Sequence, residues 1–261
     1  MIALFLGTSE GKNIVSALNE YTDNLLISTA TEYGGELLKG FKYKYLNTSP
    51  LMKEEIKNML LQKGVTLVVD ASHPYAKEVT KNLREICSEL SLQFLRYERP
   101  AVTSKYKDED KVIFVDNYET LFEKIKSIKT LKNGVILNTT GSNNLKKFVE
   151  ANIPARFVHR VLPSLKVMEN CLKLNINIED IVAIKGPISL QLNKGFIKHY
   201  DAKAIILKDS GAEGGAEEKL IAAIEEDIYA FIIDREKENC GKVYNSEKEI
   251  VDKIREIKNY G

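Results

Sequence analysis

Short apolar, β-branched runs alternate with stretches of helical period along the whole chain, and that alternation leaves few folds open. Ile2-Ala3-Leu4-Phe5-Leu6 reads as a buried strand, Gly7 to Gly11 as a turn, and Ile14, Val15 and Leu18 as one face of a helix. The next units repeat that order: a strand over 25–30, a short run at 43–46, a stripe of Met52, Ile56, Met59 and Leu60, and a strand over 65–69. Gly64, just past the stripe, suits the left-handed backbone that closes a helix. Val79, Leu83, Ile86 and Leu90 mark another helix, and 93–97 another strand. Parallel strands need a long crossover, usually a helix, so serial βα units predict an α/β fold with parallel sheets covered by helices on both faces.

Residues 101–111 carry clustered charge and no apolar period, and are expected to connect two domains. Beyond them strands are expected over 112–115, 135–138, 156–161, 181–184, 204–207 and 229–233. Ser246 and Glu249 form a capping-box pair ahead of the last helix. At 261 residues the chain can hold two medium domains, expected over 1–105 and 106–261. A faint echo links Leu6-Gly7-Thr8-Ser9 to Thr140-Gly141-Ser142, each after a strand, which suggests two similar α/β lobes facing each other.

Composition narrows the partners. Lys plus Arg is 38 and Asp plus Glu 37, so no basic excess exists to bind nucleic acid or an anionic membrane surface. No apolar run approaches the roughly 20 residues of a membrane span, and the opening segment reads as a strand rather than an export signal. Cys87, Cys171 and Cys240 are far apart and form no Cys-x-x-Cys, which points to a reducing cytoplasm rather than to disulfides or zinc. His73, His159 and His199 have no ligand spacing, so no metal is expected. No stable protein partner is inferred.

Ligands of open parallel sheets bind outside the carboxyl ends of the strands, and the polar residues gather there. Gly7-Thr8-Ser9-Glu10 can offer helix-terminal N–H groups and hydroxyls to a pyrophosphate, although it is no Gly-x-Gly-x-x-Gly and a capped turn would look the same. Thr29, Thr31 and Glu32 follow the second strand. A carboxylate at Glu32 would accept from adenosine ribose hydroxyls and repel a 2′-phosphate, favouring NADH over NADPH, unless it is a plain surface Glu. His73 and Tyr75, at a turn stiffened by Pro74, are either chemical groups or hydrogen-bonded structural ones. Arg96, Arg99 and Arg160 at strand ends suit carboxylates or phosphates, with pairing to local Asp and Glu as the alternative. Thr140-Gly141-Ser142 is a second anion-friendly loop. Lys185-Gly186-Pro187 and Lys208-Asp209-Ser210-Gly211-Ala212-Glu213-Gly214-Gly215 complete the set, the latter the densest polar and glycine turn in the chain.

In order along the chain these motifs resemble the precorrin-6A and cobalt-precorrin-6A reductases of cobalamin biosynthesis. The resemblance rests on Leu6-Gly7-Thr8-Ser9-Glu10-Gly11, Ala30-Thr31-Glu32-Tyr33-Gly34, Asp70-Ala71-Ser72-His73-Pro74-Tyr75-Ala76, Leu95-Arg96-Tyr97-Glu98-Arg99-Pro100, Thr139-Thr140-Gly141-Ser142, Arg160-Val161-Leu162-Pro163 and Lys208-Asp209-Ser210-Gly211. The sequence departs in having Ser72 where Thr is usual, Leu6 in place of a second Gly, and Asp234-Arg235-Glu236 where Arg-Pro often follows the last strand. The resemblance implies two Rossmann-like domains with a cleft between them, a nicotinamide cofactor, and hydride delivery to a macrocycle rich in acetate and propionate groups. It then implies Arg96, Arg99, Arg160, Lys208, Ser210 and Gly211 on the substrate. The reduction asks at most one acid of the protein, and Asp209, Lys185, His73 and Tyr75 are the unranked candidates. The Ala30–Gly34 form looks like the cobalt-route branch. The alternatives are an S-adenosylmethionine-dependent tetrapyrrole methyltransferase and a non-catalytic bilobed binding protein.

Overall fold

A computed structural model of the chain describes residues 1–7, 11–235 and 242–259. It divides into two compact units, Met1–Pro100 with Glu238–Gly261, and Ala101–Lys237. The first unit contains β1 (Ile2–Leu6), α1 (Gly11–Leu18), β2 (Leu25–Thr29), α2 (Glu32–Glu36), β3 (Tyr45–Asn47), α3 (Lys53–Gln62), β4 (Leu67–Ala71), α4 (Lys77–Glu89) and β5 (Gln93–Tyr97). The second contains β6 (Val112–Val115), α5 (Tyr118–Ser127), β7 (Val135–Asn138), α6 (Leu145–Glu150), β8 (Arg156–Val161), α7 (Leu165–Lys173), β9 (Ile181–Ala183), α8 (Leu190–His199), β10 (Ala202–Lys208), α9 (Ala216–Glu225) and β11 (Tyr229–Ile233). Then β12 (Val243–Tyr244) and α10 (Glu247–Lys258) return to the first unit.

Each unit holds a six-stranded parallel sheet, in the order β12-β5-β4-β1-β2-β3 in the first and β6-β11-β10-β7-β8-β9 in the second. Counted from β1 or from β7, five consecutive strands follow the doubly wound order 3-2-1-4-5. The sixth strand lies outside the run in both cases: β12 from the end of the chain, β6 from ahead of β7. The order reverses between β1 and β4, and again between β7 and β10, so each sheet has a switch point beside its central strand.

The first core shows why these runs become strands. Alternate residues of β1 face opposite ways: Ile2 and Leu4 join α1 and α10 through Ile14, Val15, Leu18, Ile250 and Ile254, while Ala3 and Phe5 join α3 and α4 through Ile56, Leu60, Leu83 and Ile86. Buried on both faces, β1, β2 and β4 read as near-continuous apolar runs. Gly64 adopts φ +60 at the end of α3, the backbone its position called for. Ser246 caps α10 by accepting from the Glu249 N–H.

The expected domain limits need correction. Residues 101–111 are part of the second unit rather than a bare connection, because the Val102 and Thr103 N–H groups and Thr103 Oγ1 all donate to Asp209. Residues 242–259 belong with the first unit, since β12 pairs with β5 and α10 packs on α1. The strand β12 was not expected at all: two residues cannot show a period. If α10 is integral to the first core, Ile254→Ala, at a fully buried position, will cost about 2–5 kcal/mol in urea unfolding. Ile257→Ala, at a partly buried neighbour, will cost less.

Candidate functional site

A buried carboxylate stands at the carboxyl end of the fourth strand in each order, β4 and β10. Asp70 and Asp209 are 0% and 1% exposed. One oxygen of each accepts the N–H two residues on, from Ser72 at 2.9 Å and from Gly211 at 3.0 Å, which turns the chain out of the sheet. The other oxygen accepts a threonine hydroxyl at 2.7 Å, from Thr80 and from Thr103. An arginine from or just beyond the next strand completes each arrangement, Arg96 at 2.8 Å from Asp70 and Arg235 at 3.4 Å from Asp209.

This geometry corrects two sequence expectations. Arg96, read as a substrate ligand, is 1% exposed; its guanidinium also meets Glu98 Oε1 at 3.0 Å, the Ser72 carbonyl at 3.3 Å and Ser72 Oγ at 3.2 Å. It therefore holds the 70–73 loop from beneath. Pairing with acids is the alternative realised, with Glu98 two residues on and with Asp70 26 residues back. Asp209, read as a proton donor, is held as an acceptor. Burial pushes its carboxyl up, but donation from Thr103 and Gly211 and the charge of Arg235 outweigh burial and leave it below the usual carboxylate range. An ionised carboxylate that accepts from Val102, Thr103, Gly211 and Arg235 has no proton to give.

At the switch point of the first unit lies a pocket of about 320 Å³ lined by Gly7, Thr29, Thr31, Gly34, Ser72 and His73 over an apolar floor that includes Phe5 and Ile56. The Gly7 N–H donates to the Ala71 carbonyl at 2.9 Å, and a Cβ at Gly7 would lie 3.5 Å from the His73 nitrogen. Thr29 Oγ1 donates to the Thr31 carbonyl at 3.0 Å, and Thr31 caps α2 by accepting from Gly34 N–H at 3.1 Å. Glu32 is exposed in the first turn of α2, at the carboxyl end of β2. His73 Nδ1 accepts from the Tyr75 N–H at 3.2 Å, and the two rings lie 5.7 Å apart. Thr8, Ser9 and Glu10 lie outside the described residues.

The second unit gathers its candidates at the β7/β10 switch point. Asn138 Oδ1 accepts from Thr140 N–H and Oγ1, and its amide meets His159 Nδ1 at 3.0 Å. Burial holds His159 down to about 4, with Asp180 working weakly the other way. Gly141 follows at φ +85 and then Ser142. The Tyr118 hydroxyl donates to Thr140 Oγ1 at 3.2 Å, and its ring faces Lys208 Nζ at 6.0 Å, so one phenol lies between both loops. Ser210 N–H donates to the Lys208 carbonyl, and Gly211 adopts φ +74. Arg160 Nη1 donates to Asn193 Oδ1 at 2.9 Å. Lys185 is exposed beyond the edge strand β9, and Arg99 is buried, 6% exposed, beyond β5 in the first unit.

Sequence reading gave no role to Tyr118, Thr103, Asn138, Asn193 and Lys219. Lys219 carried a usable signal: with Ala216, Leu220 and Ala223 it falls on the buried stripe of α9, where a lysine is out of place.

The family described as precorrin-6x reductase CbiJ/CobK matches residues 1–257. A cobalt-precorrin-6A reductase of Priestia megaterium is 32% identical over 254 residues, covering 96% of each chain. One of Methanocaldococcus jannaschii is 31% identical over 258 residues, covering 98% of this chain and 99% of that protein. A solved structure of CobK precorrin-6A reductase superposes with a TM-score of 0.76 at 17% identity over 98% of this chain and 96% of that one, a likeness of fold.

Removing one partner of a buried ion pair strands the other charge, so Arg96→Ala will lower stability by about 3–5 kcal/mol in denaturant unfolding. Unchanged stability with weakened ligand binding would return Arg96 to the ligand.

Proposed function

The chain belongs to the precorrin-6x reductase family, and on that premise we propose how its own residues carry the reaction. The protein is an oxidoreductase of cobalamin biosynthesis that reduces a carbon–carbon double bond of the (cobalt-)precorrin-6A macrocycle to give the 6B form. The cobalt-containing form is our reading of the substrate, supported by the names of the two relatives at 31% and 32% identity.

The observation that carries the cofactor assignment is the pocket at the β1/β4 switch point with a carboxylate at the end of β2. Its size and mixed lining fit part of a dinucleotide. Gly7, Thr29, Thr31 and Glu32 would hold the group there, with Thr8, Ser9 and Glu10 alongside in sequence. Thr140, Gly141 and Ser142 form a second anion-friendly loop, in the second unit, suited to a phosphate. When bound, a nicotinamide supplies the hydride. Glu32 accepts ribose hydroxyls and opposes a 2′-phosphate, which makes NADH the preferred form.

The remaining tasks are orientation, exclusion of water and delivery of one proton. The Asp70–Arg96 pair fixes Ser72 and His73, and the Asp209–Arg235 pair fixes Gly211. With Asp209 ionised, His73, Tyr75 and Lys185 remain the acid candidates. Arg99, Arg160 and Lys208 answer the carboxylates of the macrocycle, with Ser210 and Gly211 giving polar and backbone contacts. A cytoplasmic setting completes this reading, supported by the free, buried Cys87 and Cys171. No helix among the described residues is long and apolar enough to cross a membrane.

Binding of NADH and NADPH, followed by nicotinamide fluorescence, tests the assignment. Wild-type protein will bind NADH more tightly. Glu32→Ser will raise the Kd for NADH about ten-fold, the loss of one charge-assisted hydrogen bond, and narrow the gap to NADPH. An unaltered ratio removes Glu32 from the ribose, and binding of neither nucleotide overturns the cofactor assignment.

A further inference from the structure

Lys219 lies in the first turn of α9, 6% exposed, directly after the loop that follows β10. An ammonium group has three donors, and among the described residues Lys219 Nζ makes one hydrogen bond, to the Gly214 carbonyl at 3.1 Å. Arg160, on the penultimate position of β8, is close enough for its charge to act on Lys219, and its guanidinium hydrogen-bonds the neutral amide of Asn193. Among the described residues neither cation has a carboxylate within ion-pair distance. Glu218 is the acid whose charge reaches Lys219, and its own Oε2 is buried without a hydrogen-bond partner. Two cations against one carboxylate leave a positive excess under the loop.

The site is built rather than incidental. Asn193, 2% exposed, accepts from Arg160 and donates to the Ile188 and Ser189 carbonyls at 3.3 and 2.9 Å, tying the guanidinium to the 185–189 loop. That loop reaches the other at Gly215, where a Cβ would lie 3.0 Å from Pro187. A buried, under-bonded charge beside a like charge is costly. Groups strained in this way cluster at functional sites.

We propose that Lys219 and Arg160 together receive one anionic group, a carboxylate or a phosphate, of a ligand bound at the carboxyl end of the second sheet. The inference rests on the reductase reading, in which the macrocycle brings carboxylates and the dinucleotide brings phosphates. Burial first, and Arg160 second, hold the Lys219 ammonium down to about 7, with Glu218 opposing them. The anion restores the charged form, so binding takes up a proton near neutrality and weakens as pH rises.

The test compares wild type, Lys219→Met and Lys219→Arg, with NADH and cobalt-precorrin-6A as separate probes. Lys219→Met removes the excess charge, so the ligand-free protein will melt at a higher temperature while the Kd for one probe rises at least ten-fold. Lys219→Arg will keep that Kd within a few-fold and abolish its rise between about pH 6 and about pH 8.5. The probe that loses affinity names the source, carboxylate for the macrocycle or phosphate for the nucleotide. Unchanged Kd values for both probes in Lys219→Met overturn the inference, whatever the melting temperature, and leave Lys219 as a structural donor to Gly214. Arg160→Gln, at a less buried position, gives the same readout should Lys219→Met fail to fold. A wild-type protein that binds neither probe fails the reductase reading itself, whereas normal wild-type binding with indifferent variants fails only this inference.

Discussion

Both sheets depend on a carboxylate buried where a parallel strand runs out and neutralised by an arginine of the same unit. A charge at the floor of a loop is costly unless its lone pairs are filled, and here the loop, a threonine and an arginine fill them. Asp70 takes the N–H of Ser72, Asp209 that of Gly211, and each takes a threonine hydroxyl besides. The loop cannot shift without exposing an unpaired carboxylate, so the backbone that a ligand meets is fixed before it arrives. That is preorganisation in its plainest form.

The doubled device follows from the doubled topology. With the 3-2-1-4-5 order present twice, β4 and β10 are equivalent strands beside equivalent switch points. The two ends have diverged around the shared plan. In the first unit the central strand leads to Gly7, with hydroxyls of β2 nearby and a pocket between them. In the second it leads from Asn138 to Thr140, with cations on the flanking elements. One end presents hydroxyls around a pocket, the other cations beneath a loop.

Most of the fold was legible because buried parallel strands leave long apolar runs and helices leave stripes. Strands over 112–115, 135–138, 156–161 and 229–233 fall where the residues put them. The site was less legible, for reasons of distance. Arg96 and Asp209 carry the right chemistry for a ligand, and nothing local says that their partners sit 26 residues away in each case. A strand-end charge reads alike whether it faces solvent or a buried counter-ion. Lys219 was hidden the other way, inside the buried stripe of Ala216, Leu220 and Ala223. Thr103 and Tyr118 act through single hydroxyls that no spacing announces.

The return of β12 and α10 to the first unit orders events during synthesis. The second unit is a continuous stretch of chain, whereas the first lacks a sheet edge and the helix that covers Ile14 and Val15 until residues 243–258, beyond the second unit, are made. Domains tend to fold as they leave the ribosome. Here the half begun first is the half completed last, and its nascent core waits with one face open while the later half closes.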